Sequence, residues 1–261
     1  MRCSRVVGSA LALLIPMAMV APARAEDGES TYEGGNSGAA AGYAKGKPIS
    51  ITHSSGNLSV RCMDTQTLSA RMQYVVTGTV ESAMETAGKG IGLAVYGDAN
   101  GGRISTRSPG KSTGVSSIDV TLTVSIPRAP MTLTVTETGS GWVQVQDCDG
   151  TVKVSAGAAG AFASGAMKSA TVTATGGDVK VVQNGDAVFT ATTSVSAPNG
   201  NATLLLGTAQ GGKLTAKGSE VSVSQTVMGT NEATLVSGDL GIAGPTITVS
   251  AKQRAEVGVN Q

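Results

Sequence analysis

Aromatic side chains are scarce in this chain: two Phe, one Trp and four Tyr among 261 residues. A thick interior between layers is normally filled by such rings, so their shortage excludes a broad core and favours a narrow one. Histidine occurs once, at His53, and cysteine three times. That supply makes no zinc constellation. It also makes no serine-hydrolase triad: Gly110-Lys111-Ser112-Thr113-Gly114 matches a nucleophile elbow only formally, because His53 lies upstream and no strand-then-helix pattern flanks it. The same stretch has Ser105 where a phosphate-binding loop needs glycine, so it reads as a polar turn. An excess of either charge is missing too, with 19 basic and 18 acidic residues. Nucleic acid, which requires a concentrated basic stripe, is not an expected partner.

Long apolar runs are confined to the amino terminus. Arg2 and Arg5 precede the apolar stretch Val6 to Val20, and Ala23-Arg24-Ala25 supplies small residues at a cleavage site. Residues 1–25 therefore read as a secretory signal peptide. The stretch is shorter than the roughly 20 residues of a membrane span, and nothing later reaches that length, so no stable transmembrane anchor is expected after cleavage. Loss of Arg2, Arg5 and Arg24 leaves 16 basic against 18 acidic side chains. Cys62 and Cys148 also remain, 86 residues apart. An oxidising compartment allows them to form a disulfide, and two separately buried thiols are the alternative.

Glycine is abundant, at 36 residues, about twice its usual share. Much of it belongs to a recurring phrase of glycine, polar residue and short alternating strand. Ser55-Gly56-Asn57-Leu58-Ser59-Val60, Asp149-Gly150-Thr151-Val152-Lys153-Val154, Gly176-Gly177-Asp178-Val179-Lys180-Val181 and Ser237-Gly238-Asp239-Leu240-Gly241-Ile242 are its copies. Each reads as a corner followed by a strand of period two. Residues 26–47, nearly free of large aliphatic side chains, read as a disordered Gly/Ser/Ala-rich linker. Ile118 to Ile126 is the clearest strand, five apolar residues alternating with four small or polar ones. From Met131 onward, strands are expected near Thr132, Trp142, Thr151, Ala170, Asp178, Ala202, Lys213, Glu220, Ala233, Asp239 and Thr246. That even spacing fits a sandwich, a barrel or a solenoid. Small strand residues, few rings and the recurring corner favour the solenoid. The expected fold is all-β, with a β-solenoid over residues 48–261. At about 20 residues per coil and about 4.8 Å per rung, it would form a rod roughly 50 Å long.

The phrases Leu122-Thr123-Val124-Ser125-Ile126-Pro127, Leu133-Thr134-Val135, Asn199-Gly200-Asn201-Ala202-Thr203-Leu204 and Gly218-Ser219-Glu220-Val221-Ser222-Val223 add to the series at 149–154 and 176–181. Together they make the chain, over about residues 48–258, resemble a bacterial exported putative-adhesin family, a domain of unknown function with a β-solenoid fold. The resemblance implies that fold and an envelope location, and it supplies no catalytic residues. The section around residues 61–117 departs from the repeat pattern.

No catalytic, cofactor-binding or metal-binding residue is expected. Asp147-Cys148-Asp149-Gly150 and Asp98-Ala99-Asn100-Gly101 place oxygens beside glycine, but calcium takes about six to eight oxygens and neither has a third spaced carboxylate. Turn formation accounts for them. Trp142 would stack on a sugar if exposed; burial in a wide rung is the favoured expectation. The polar tail Lys252-Gln253-Arg254-Ala255-Glu256 is expected to cover one end of the stack. The leading functional expectation is a non-enzymatic, exported protein (periplasmic, surface or extracellular) whose repetitive polar faces bind a glycan or an envelope protein. The alternatives are a polysaccharide lyase-like β-helix enzyme, with Asp147, Asp149 and Lys153 as its acids and base, and an envelope-sensing scaffold.

Overall fold

The computed structural model describes residues 15–16 and 28–260. The signal peptide expected over residues 1–25 thus lies outside the described residues except at Ile15–Pro16, which pairs antiparallel with Ser37 and Asn36.

The described chain is all-β apart from one helix and forms two mixed sheets of eleven strands each. The first sheet runs, in spatial order, through Ile15–Pro16, Ser30–Ala40, Leu68–Gly78, Val115–Pro127, Asn57–Met63, Val143–Gln146, Ala161–Gly165, Val179–Gln183, Ala202–Leu206, Arg254–Val259 and Glu220–Val223. The second runs through Met228–Glu232, Leu235–Asp239, Lys213–Lys217, Thr246–Ala251, Thr193–Ala197, Met167–Ala174, Gly150–Ala156, Met131–Glu137, Ile49–His53, Gly102–Arg107 and Gly92–Gly97. Between Met131 and Leu206 successive strands alternate between the sheets, and each pairs in parallel with strands of the neighbouring turns of chain.

Strict alternation of side chains explains why these segments hold their register. In the second sheet the inward residues Ile104, Ile51, Val135, Val154, Val172, Val195, Val249 and Ala216 align across eight strands. In the first, Val124, Val60, Val145, Ala163, Val181, Leu204 and Val257 do the same. All these side chains are buried, and they belong to one hydrophobic cluster shared by both sheets. Each fully buried Val contributes about 1.5–3 kcal/mol, and β-branching suits it to the pleat. The core is therefore built from repetition of small groups, as the shortage of rings requires.

The structure shows two mixed sheets rather than the expected uniform solenoid, and antiparallel strands stand at the ends of both. Antiparallel strands Ser30–Ala40 and Leu68–Gly78 extend one end of the first sheet, with the latter pairing against Val115–Pro127. Gly92–Gly97 extends the second sheet at the same end, and the hairpin Met228–Glu232 with Leu235–Asp239 extends it at the other. The sheets are open and mixed rather than closed.

Three expectations need correction, and one helix was not foreseen. Residues 26–47 are not a linker throughout: Ser30–Ala40 is an eleven-residue strand paired over its whole length with Leu68–Gly78. Its glycines are demanded by contact, since a side chain at Gly34 would collide with the Tyr74 ring. The helix Glu81–Gly90, carrying one large apolar residue (Met84), gave no apolar period to read; Met84, Ala87 and Gly88 are its buried positions. It packs on the first sheet's strands 30–40 and 68–78. The tail 252–256 does not cover an end, because Arg254–Val259 lies inside the first sheet between Ala202–Leu206 and Glu220–Val223. The phrase at 237–242 does not start a strand: Leu235–Asp239 ends within it, and the chain turns through Gly241 at φ +87°.

Candidate functional site

Two rows of outward side chains cross all eleven strands of the second sheet, with Thr132, Thr151, Thr246, Lys213 and Asp239 in a shorter third row beside them. The first reads Tyr96, Arg103, Ser50, Thr134, Lys153, Thr171, Ser194, Thr248, Thr215, Ser237 and Thr230 in register order. The second contains seven consecutive hydroxyl residues, Ser105, Thr52, Thr136, Ser155, Thr173, Ser196 and Ser250, followed by Lys217. These rows arise from local sequence: Met131–Glu137 alternates Thr with apolar residues, and Ser194/Ser196 and Thr248/Ser250 repeat the pattern. Neighbouring strands lie about 4.8 Å apart, and residues i and i+2 lie about 6.7 Å apart, so the hydroxyls fall on a near-rectangular lattice. Two rung-to-rung bonds fix part of it: Ser250 Oγ donates to Ser196 Oγ at 3.2 Å, and the Thr215 and Ser237 hydroxyls are 3.2 Å apart.

One end of this face deepens into an open groove of about 560 Å³, with Ser50, Tyr96, Asp98, Asn100, Arg103 and Thr134 among its lining residues. Tyr96 is 54% exposed. Its hydroxyl donates to Asp98 Oδ2 at 2.9 Å, while Asp98 Oδ1 accepts from the Asn100 and Gly101 N–H groups at 2.7 and 3.1 Å. The Asn100 N–H, then the Tyr96 hydroxyl, hold the Asp98 carboxyl below its usual range; the bond to Asp98 pushes the Tyr96 phenol up. Asp98-Ala99-Asn100-Gly101 is thus a turn whose carboxylate is spent on its own backbone and on Tyr96. Sequence reasoning missed Tyr96 because a lone tyrosine in a Gly-flanked strand carries no signal until register places Arg103 beside it.

The expected lyase residues face different ways. Asp147 lies 3.5 Å from Arg61 Nε and 4.0 Å from Arg128 Nη2, and Asp149 Oδ1 accepts the Ala166 N–H at 3.3 Å. Lys153 stands in the first hydroxyl row of the second sheet. Asp147 has φ 58°, the only non-glycine with a positive φ among the described residues. Next to it, Cys62 and Cys148 are joined by a disulfide with Cα atoms 5.0 Å apart.

Trp142 is 41% exposed, which corrects the expectation of burial. Its ring lies across Gly160, where a side chain would collide with it, and the Trp142 backbone N–H donates to Asn57 Oδ1 at 3.0 Å. Asn57, Trp142, Gly160, Asp178 and Asn201 are stacked corners joined by backbone bonds, including Val143 N to Gly160 O and Ala161 N to Asp178 O. Close stacking of these corners is the physical reason for the glycine phrase: a side chain at Gly141 would strike the Gly56 carbonyl.

His53 is fully buried and sits opposite Glu137 on the next strand. Its Nδ1 is 2.9 Å from Thr106 Oγ1, while Nε2 has no hydrogen-bond partner within bonding geometry. Glu137 accepts the Gly139 N–H at 2.6 Å and the Gly157 N–H at 3.1 Å. Both residues are enclosed at a corner, where they satisfy or order backbone rather than reach a ligand. Among the described residues no three His, Cys, Asp or Glu side chains are grouped to hold a metal ion. No described helix is long and apolar enough to cross a membrane.

No family model matches the chain, and no curated protein matches it either. A solved structure of a putative cell adhesion protein from Clostridium sporogenes is 13% identical, covering 83% of this chain and 94% of that one, with a TM-score of 0.41, a score too low to carry a shared fold or function.

Proposed function

We propose that this is an exported, non-enzymatic binding protein of the cell envelope or surface, adhesin-like in action, whose alternating parallel strands form a short β-solenoid. The hydroxyl face of the second sheet is its working surface, and an extended glycan is its partner. The observation that carries this reading is the run of seven consecutive Ser/Thr positions in register, beside a second row rich in the same residues. Each hydroxyl offers one donor and two acceptor sites. Single hydrogen bonds exchanged with water contribute only about 0.5–1.5 kcal/mol, so useful affinity requires many at once. A regular lattice provides that, because a polymer with repeating hydroxyls can engage several rungs in one orientation. Display of many copies on a surface would add avidity without new contacts.

The test is binding of the mature protein to a panel of immobilised polysaccharides, compared with a Thr136→Val, Thr173→Val, Ser196→Ala variant. These substitutions keep strand propensity and remove three hydroxyls from one row. Binding that falls at least tenfold with an unchanged melting temperature supports the reading. Wild-type protein that binds no polysaccharide would overturn it, and a stoichiometric complex with a purified envelope protein would then favour the scaffold alternative.

A further inference from the structure

We infer that the Tyr96 end of the hydroxyl face is an anchoring subsite for an acidic polysaccharide whose charged unit is a uronate carboxylate. This rests on the glycan-face reading and deepens it by naming the ligand class and the residues that select it.

Charge distribution is the first argument. The chain as a whole is balanced, with a formal net charge of +1. The two rows are not. Their charged members are Arg103, Lys153 and Lys217, against a single carboxylate, Glu232, on the outermost strand of the far hairpin. Asp98 borders the groove as an anion, its oxygens engaged by the Tyr96 hydroxyl and two backbone N–H groups, so the adjacent cation is needed to offset it. Neither Arg103 nor Lys153 has a carboxylate partner among the described residues; the ion pairs there belong to Arg61, Lys89, Arg128 and Arg254. The face therefore presents unpaired cations among hydroxyls.

Geometry is the second argument. Tyr96 and Arg103 are direct cross-strand partners, so their side chains leave the sheet about 5 Å apart. The phenol is tethered by Asp98, which fixes the ring in place before any ligand arrives. A fixed, exposed ring accepts the apolar face of a sugar. The neighbouring guanidinium offers a planar fork of donors matched to a carboxylate, with Ser50 next in the row to take a hydroxyl. Ring, fork and hydroxyl are what a uronic acid unit presents in complement. Lys153 follows three strands beyond Arg103, about 14 Å away, too far for the same unit and suited to a later charge on the same chain. The polymer would thus run across the strands from Tyr96 toward Lys153.

The experiment measures binding of the mature protein to polygalacturonate, dextran sulfate and neutral dextran at low and at 0.3 M salt, alongside R103Q, R103K, Y96A and K153Q. Polygalacturonate is expected to bind tighter than both dextrans, with tenfold or greater loss in R103Q and Y96A, partial retention in R103K and a smaller loss in K153Q. All three positions are on the surface, and unchanged melting curves will show that the variants fold. Wild-type binding to polygalacturonate that is indifferent to R103Q overturns the subsite. Equal binding to dextran sulfate reduces it to unspecific attraction and overturns the uronate assignment. Binding to neutral dextran alone overturns this inference while leaving the glycan face standing, whereas binding to none of the three, nor to any other polysaccharide, removes both.

Discussion

Burial pushes the His53 imidazole down to about 4, against the smaller opposing pull of the nearby Gly56 and Val120 backbone. The folded protein therefore holds fewer protons than the unfolded chain between pH 4 and about 6.5, and stability must fall as pH drops through that window. Down to pH 5, where carboxylates titrate little, the loss should reach about 2 kcal/mol. Urea unfolding at pH 7, 6 and 5 will measure it, and His53→Gln should flatten the slope; a wild-type slope equal to that of the variant would contradict the assignment. Gly56 makes a second test at this scale. It has φ +83°, and an added side chain would strike the Val120 carbonyl. Gly56→Ala should cost at least about 2 kcal/mol, more than an ordinary surface substitution. The sequence exposed Gly56 through its recurring phrase, but nothing in the chain distinguished His53 from a turn residue. Burial of a lone polar group depends on what the adjacent strand brings opposite it, and His53 and Glu137 stand 84 residues apart in the chain.

Elements were legible where their own period was strong. Val115–Pro127 and Met131–Glu137 declare themselves by alternation, whereas Ser30–Ala40 contains almost nothing apolar and forms a strand because Leu68–Gly78 offers it a full-length edge. The same partner-dependence hid Met228–Glu232, all five residues of which are exposed. Truncation tests the first case. A chain starting at Pro48, the boundary that composition suggests, would lose Tyr32 and Tyr43 from the core and leave strand 68–78 as a bare edge. It should elute as aggregate on size exclusion, where a chain starting at Gly28 elutes as a discrete species. The disulfide supplies another element-scale prediction. It ties Asn57–Met63 to the turn after Val143–Gln146, closing a loop of 86 residues. Reduction should remove roughly 2–5 kcal/mol, read as a lower denaturant midpoint, and Cys62→Ala with Cys148→Ala should match the reduced protein.

At the scale of the molecule, the arrangement of parallel strands separates a uniform middle from irregular ends. Each central strand is paired on both sides within its sheet, and its inward Val or Ala side chains are sealed above and below by like residues. The end strands have one neighbour and fewer buried side chains, down to none in Met228–Glu232. When stability accumulates mainly from contacts between adjacent rungs, opening from an end breaks one interface, while opening in the middle breaks two. The face proposed to bind glycan would then be most rigid at Lys153, Thr171 and Ser194 and least rigid past Thr215. Native-state hydrogen exchange will resolve this. Amides of Val154, Val172 and Val195 should exchange only through global unfolding, and those of Thr230 and Asn231 through cheap local opening. A saturating polymer bound along the rows should slow exchange outward from the middle toward Lys217, because a ligand spanning several rungs penalises any opening that breaks its register. Equal exchange free energies at Val172 and Thr230 in the free protein would mean that the whole chain unfolds as one unit, and that the end hairpin is as stable as the middle of the sheet.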